Sequence, residues 1–190
     1  MPLPPHFRDP EPASPPALKI DMHVHIVGNG RGGSGCWLRS PPWWRRMVQG
    51  FLTRGIGLPP GALEGDLDHL YVSRLLEWVR ASSLDAVVLL AHEQVYDDQG
   101  RLQRDRGSFH VPNGYVLELS RQHPEFLAGV SIHPGRPDAL AELEQCVAGG
   151  AVLMKCLPNC QNIDCADRRY TRFWERMAAA GLPLLVHTGG

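Results

Sequence analysis

Two histidines spaced two residues apart, His23 and His25, stand in the run Leu18-Lys-Ile-Asp-Met-His-Val-His-Ile-Val-Gly28. Apolar Ile20, Met22, Val24 and Ile26 alternate there with Asp21, His23 and His25, a period of two that predicts a strand over 19–26. Residues two apart on a strand point the same way and lie roughly 6–7 Å apart along it. Both imidazoles can therefore converge on one ion, with Asp21 on the same face one step deeper. The alternative is an exposed strand that happens to carry two histidines. Lys155 closes a second run, Ala151-Val-Leu-Met-Lys155, where it shares a face with Leu153 and Ala151 and aims its amine into a desolvated interior. Burial favours the neutral amine. Such an amine can form a Schiff base, or take up carbon dioxide to become a carbamate whose two oxygens can bridge two metals. The alternative is an ammonium that emerges at the strand end and pairs with a carboxylate. His187, after Pro183-Leu-Leu-Val186, completes three neutral nitrogen ligands. That set suits zinc or another borderline divalent ion with an open position.

The elements that must position these residues alternate between strand and helix. Five apolar runs begin near 19, 84, 126, 151 and 183. Between them, helical periodicity is read from Asp66 through Leu67, Leu70, Tyr71, Leu75, Leu76, Trp78 and Val79, and again over 113–122, after Pro137, and after Asp167. Strand–helix alternation predicts a parallel α/β sheet. His25, His92, His133 and His187 fall at or just past four of the strand ends, and Lys155 falls at the other. Polar residues gathered at the carboxyl ends of successive strands mark the mouth of a (β/α)8 barrel. A dinucleotide-binding sheet is disfavoured, because the glycines of 28–35 open a long insertion rather than a compact turn into a helix. That insertion, 28–65, begins GNGRGGSG and continues through Pro41-Pro42 into a short predicted helix. Its Trp37, Trp43 and Trp44 either pin the loop to the body or line a substrate lid.

IDMHVH on the first strand, VLMKCLPNCQNID on the fourth and GLPLLVHTGG on the fifth together resemble the amidohydrolase superfamily, specifically the amidohydrolase-related (amidohydrolase 2) metal-dependent hydrolases, from about Lys19 onward. The resemblance implies an α/β fold, a partial (β/α)8 TIM-like barrel comprising roughly the first five strands. It implies that His23 and His25 ligate the first metal, that His187 ligates from the fifth strand, and that Lys155 is a candidate carbamylated bridge. One or two divalent ions, zinc above all, are the implied cofactor. Asp21, His92 and His133 carry no motif role and are placed as pocket-lining or second-layer groups. The family pattern continues with a sixth-strand His and an eighth-strand Asp that serves as the general base. Neither is found in this sequence, so the 190-residue chain is expected to be an incomplete, inactive N-terminal portion. The expected reaction is attack of metal-activated water on a carbonyl-type C–N or C–O bond of a small-molecule substrate. The alternatives are decarboxylation by a relative of the same barrel, or a non-catalytic fragment or half of an assembly.

Composition sets the outer bounds. With 19 basic and 20 acidic residues the formal net charge is −1, which gives no footprint for nucleic acid or an anionic membrane. No apolar run approaches the roughly 20 residues that span a bilayer. Residues 1–17 hold seven prolines and no basic-then-apolar leader, and are read as a disordered arm. Five cysteines form no disulfide framework, which favours a reducing cytoplasm. Cys156, Cys160 and Cys165 cluster without a tight Cys-x-x-Cys knuckle and are read as free thiols, with metal ligation the alternative. Unpaired first and fifth strands would invite self-association into a homo-oligomer.

Overall fold

The structure, a computed structural model, describes residues 17–39, 55, 57–59 and 61–187. The expectations for the arm at 1–16, for the helix after Pro41-Pro42 with Trp43 and Trp44, and for the last three residues lie outside the described residues. The strands, in chain order, are β1 (Ile20–His25), β2 (Trp37–Leu38), β3 (Ala86–Leu90), β4 (Phe109–His110), β5 (Phe126–Val130), β6 (Ala151–Cys156) and β7 (Leu184–Val186). The helices are α1 (Leu67–Ala81), α2 (Asn113–Gln122), α3 (Ala139–Ala148), α4 (Pro158–Gln161) and α5 (Thr171–Ala179), with a 3-10 turn at Arg168–Tyr170 before the last.

Five strands form one parallel sheet in the order β1-β3-β5-β6-β7, a curled half-barrel with helices between successive strands. Parallel neighbours need long crossovers, and α1, α2, α3 and α5 supply them. The helices start where the sequence says they should. Asp66 caps α1 by accepting the His69 amide at 3.1 Å, and Asp167 caps the 3-10 turn by accepting from Arg169 at 2.9 Å. Pro137 lies just ahead of α3 rather than inside it.

Strand β3 is buried along its whole length, so its side chains divide between two cores. Val87 and Leu89 face the helices, packing with residues such as Val72, Leu76, Leu143 and Phe173. Val88 and Leu90 face the concave side, where Leu153, Ile20, Leu127 and Leu185 join them. The concave side is tight at Gly129. A Cβ there would stand 2.7 Å from Leu90 Cδ2 and 2.9 Å from Val88 Cγ1, so these side chains fill the space that another would need.

Two register shifts correct the simple alternation read from sequence. Between Asp21 and Val24 the β1–β3 pairing gains a residue: Asp21 pairs with Val87, Val24 with Leu89 and His25 with Leu90. Paired residues of a parallel ladder share a face. Asp21 therefore lies on the helix side with Val87, not one step below the histidines on their face. The bulge re-aims His23 and His25 toward the concave side while Ile26 goes to the helix core. Between Ala128 and Gly129 the β5–β6 pairing shifts likewise, so Ala151 packs toward the helices whereas Leu153 and Lys155 face inward. Lys155 therefore shares its face with Leu153 and not with Ala151, while Val152 also packs into the concave cluster.

β1 and β7 form the two edges of the sheet. Met22, Leu184 and Val186 are exposed there, in contrast to the buried β3.

Candidate metal centre

The concave face brings His23 and His25 of β1, Lys155 of β6 and His187, just past β7, to one end of the sheet. His23 Nε2 and His25 Nε2 are 3.1 Å apart. Lys155 Nζ is 3.2 Å from His23 Nε2, although 132 residues separate the two in sequence. His187 follows β7, and its amide donates to the Cys156 carbonyl at 3.0 Å, which fixes the backbone of β7 beside that of β6.

The cluster is basic throughout. Burial, then the charges of Lys155 and His187, hold His23 below the ordinary histidine range, and only Asp21 opposes them. His25 is lowered by burial, by His23, by Lys155 and by His187. Lys155 is 1% exposed, and its burial lowers its amine pKa. All three shifts favour uncharged nitrogen with a free lone pair, the form that ligates a metal.

The donor set fits a divalent ion at its histidine pair. Two ring nitrogens that ligate one tetrahedral ion at about 2.0–2.1 Å stand about 3.3 Å apart, close to the 3.1 Å between His23 and His25. Both rings present Nε2, so one ion can take both. The fit does not extend to a complete set. Among the described residues, no three His, Cys, Asp or Glu side chains converge closely enough to hold an ion unaided. His187 is felt electrostatically by both β1 histidines but its ring does not join them as a third ligand. The third nitrogen beside the pair is the Lys155 amine.

His92, two residues beyond β3, lies close to this cluster. Its ring stacks on Phe109 at 3.9 Å, its backbone pairs with Val111, and its carbonyl meets His110 Nδ1 at 2.7 Å. Burial first, then the charges of His110, His25 and Lys155, push its pKa down to about 4. The β2–β4 ladder that carries Phe109 and Trp37 thus clamps a neutral imidazole beside the histidine pair.

His133 is used differently. It is fully buried; its Nδ1 accepts the Gly135 amide at 3.0 Å and its Nε2 sits 3.4 Å from the Asn162 carbonyl. Its ring lies between Tyr96 and Tyr170. Both nitrogens are taken by backbone, so His133 fastens loops together rather than facing the cluster.

Sequence reading missed two polar groups. Glu93, 3% exposed, pairs with Arg136 at 2.7 Å, and Arg136 also meets Asp138 at 2.6 Å. Gln161 ties this layer to Ser131 Oγ at 3.1 Å. The second group is Asp68, 3% exposed, which accepts from the amides of Asn29 (2.7 Å), Gly30 (3.1 Å) and Gly32 (3.0 Å) and from Ser34 Oγ (2.7 Å). The glycine-rich stretch that follows β1 is wrapped around one carboxylate. The available signal was the loop itself: a run of amides with few side chains calls for an outside acceptor.

Comparison with known proteins places this geometry. A family model described as Amidohydrolase matches residues 20–190. No curated protein matches the chain. Among solved structures, a probable 2-pyrone-4,6-dicarboxylic acid hydrolase from Acinetobacter baumannii, with citric acid bound, superposes with a TM-score of 0.55 at 11% identity. The match covers 90% of this chain and 50% of that one, so the chain spans about half the length of that structure. At this identity the likeness is one of fold. With a family match that runs from β1 to the last residue, the chain belongs to the amidohydrolase family.

Proposed function

We propose that the chain supplies the first metal-binding half of a metal-dependent hydrolase that acts on a carbonyl-type C–N or C–O bond of a small molecule. The observation that carries this reading is the convergence of His23 Nε2, His25 Nε2 and Lys155 Nζ within 3.1–3.2 Å steps, with no carboxylate among them. A divalent ion bound there, zinc by preference, would polarise a carbonyl and acidify water. His23 and His25 would hold such an ion, each presenting Nε2. Lys155, kept toward its neutral form by burial, can add its amine to carbon dioxide; the nitrogen gives up a proton and the resulting carbamate presents anionic oxygen beside His23. His187 stands at the edge of this group, held by its backbone bond to Cys156. His92, neutral and stacked on Phe109, can donate or accept one hydrogen bond toward a bound substrate. The general base that the family resemblance places on an eighth strand has no counterpart in the five strands of this sheet. Hydrolysis rather than decarboxylation is favoured because the structurally similar protein carries a hydrolase description.

Metal binding is tested by calorimetric titration with zinc and by the visible spectrum of the cobalt form. The wild-type chain is expected to take up metal, and His23→Ala or His25→Ala to weaken it at least tenfold. Unchanged uptake in both variants would overturn the assignment. For the reaction, heavy-oxygen water separates the two chemistries: label in the product supports hydrolysis, and carbon dioxide release without label supports decarboxylation.

A further inference from the structure

A cavity of about 160 Å3 opens where the loop after β3, the end of β4 and the first turns of α2 and α3 meet. Glu93, Tyr96, His110, Asn113, Arg136 and Glu142 line it. Much of their bonding capacity is used inside the wall. Glu93 Oε2 accepts from Arg136 Nη1 at 2.7 Å, and its Oε1 accepts the Gln94 amide at 2.8 Å. Asn113 Nδ2 donates to Glu142 Oε1 at 2.7 Å, and Asn113 Oδ1 accepts the Ser131 amide at 2.8 Å. Arg136 gives its Nε and Nη2 to Asp138 at 2.6 and 2.9 Å.

Three acceptors are left over. Glu142 Oε2 has Arg136 Nη2 at 3.8 Å, beyond hydrogen-bond reach. His110 Nδ1 stands 2.7 Å from the His92 carbonyl and must carry a proton to bond it. Burial holds this ring below the ordinary histidine range, so its Nε2 is a bare lone pair. Tyr96 is 7% exposed, yet its hydroxyl meets no hydrogen-bond partner among the described residues. A buried hydroxyl in that state is costly unless something outside the chain answers it. Charge is uneven as well. Glu93 and Glu142 face one guanidinium, which Asp138 also shares. Among the described residues no three His, Cys, Asp or Glu side chains are placed to hold a metal ion. The missing partner is therefore a cation that donates hydrogen bonds.

We propose that this cavity is a binding site for a small primary amine, held as its ammonium ion by Glu142 Oε2, His110 Nε2 and the Tyr96 hydroxyl. A primary ammonium carries three N–H donors, one for each acceptor. Its charge answers the surplus carboxylate, and hydrogen bonds to an ionised group are the stronger kind. At the roughly 30 Å3 that a water takes in the liquid, the cavity has room for about five heavy atoms. That admits an amine with a short carbon chain and turns away a bulky one. The site does not rest on the metal reading, since none of its three acceptors belongs to the histidine cluster of β1.

The test titrates the full, metal-free chain with propylammonium chloride near neutral pH and follows the tyrosine and histidine ring resonances by NMR. Saturable shifts are expected in the wild-type chain. Tyr96→Phe and Glu142→Gln should each weaken binding by roughly tenfold or more. Because the Tyr96 hydroxyl has no partner inside the chain, Tyr96→Phe should leave the thermal melt of the ligand-free protein in place, which separates lost binding from lost fold. Propanol, with the same chain but no charge, and tetramethylammonium, with the charge but no N–H, should both bind far more weakly than propylammonium. The proposal is overturned if no saturable shift appears, or if Tyr96→Phe binds propylammonium as the wild type does. Equal binding of propanol or of tetramethylammonium overturns it too, since the cavity would then not be reading a charged donor.

Discussion

Two polar clusters flank the end of β1, and they are built on opposite rules. Around Asp68 a single carboxylate accepts from three amides and one hydroxyl of the glycine-rich loop. Around His23, three basic nitrogens face one another, and the one nearby acid, Asp21, bonds the His23 backbone amide rather than any of the three. The first cluster is closed: its bonding capacity is used within the chain, and the cost of burying the charge is offset by donors already in place. The second is open, because its nitrogens meet only one another, base against base, and a cation that displaced those contacts would satisfy them better. Saturation marks a polar group that holds the fold, and its absence marks one that is kept for a ligand.

The largest expected effect falls on the closed cluster. Asp68→Ala removes the acceptor and leaves three amides and a hydroxyl without a partner, which should cost about 3–5 kcal/mol of stability. Urea denaturation measures it directly. Gly28 packs directly against this carboxylate, since a Cβ there would collide with it, so removing the carboxylate also leaves a gap beside the loop. A loss under about 1 kcal/mol would mean that the loop is satisfied by water, and the contrast drawn here would fail.

How much of this was legible in the sequence follows from how local each feature is. The Asp66 and Asp167 caps, the buried run of β3 and the strand–helix alternation are all written in neighbouring residues, and the structure has them where the sequence puts them. The His-x-His pair and Lys155 were recognisable from residue type and place. The bulge between Asp21 and Val24 was not, because an extra residue in one strand is decided by its partner, here Val87 and Leu89. The same holds for Ala151, moved to the helix side by the shift against β5. Nothing local marks Asp68, which stands in the first turn of α1, since its partners lie more than thirty residues away. The β2–β4 ladder pairs two-residue strands across some seventy positions, too short to leave a period.

The second effect separates the clusters by pH. His92 folds with a pKa of about 4, against about 6.5 in the unfolded chain. Below pH 6.5 the unfolded state therefore binds a proton that the folded state refuses. Stability from this group is complete above pH 6.5 and declines as pH falls toward 4, by up to about 1.4 kcal/mol per unit. His23 and His25 add in the same direction, since both are lowered. Thermal denaturation across pH 4–7 reads the slope, and His92→Gln should flatten it. An unchanged slope in that variant would remove His92 from the charge-poor cluster.

Metal binding sharpens the contrast from the open side. His25→Ala should weaken zinc by at least tenfold, or about 1.4 kcal/mol, while Asp68→Asn in folded protein should leave zinc within about threefold. The lowered histidine pKa values also predict that zinc is retained at pH values where an unperturbed imidazole would already be protonated, since proton and metal compete for the same Nε2. Titrations at two pH values test both statements together. If the loop variant lost metal as strongly as the histidine variant, the two clusters would be one.

The smallest effect is the most discriminating. In the metal-free chain, His25→Gln should change stability by no more than about 0.5 kcal/mol, and in the stabilising direction. His25 loses rather than gains by its neighbours: burial, His23, Lys155 and His187 all act against its charged form. Its ring supports little else, because the residue keeps part of its surface open at the edge strand and its nitrogen contact is to another base. Replacing it with an amide that never takes a proton removes the crowding a protonated ring would meet near Lys155, without opening a cavity. A residue that held the fold could not be exchanged at so little cost. A loss above about 1 kcal/mol in the metal-free protein would show that the histidine pair supports the sheet, as Asp68 supports the loop, and that its convergence need not mean a metal.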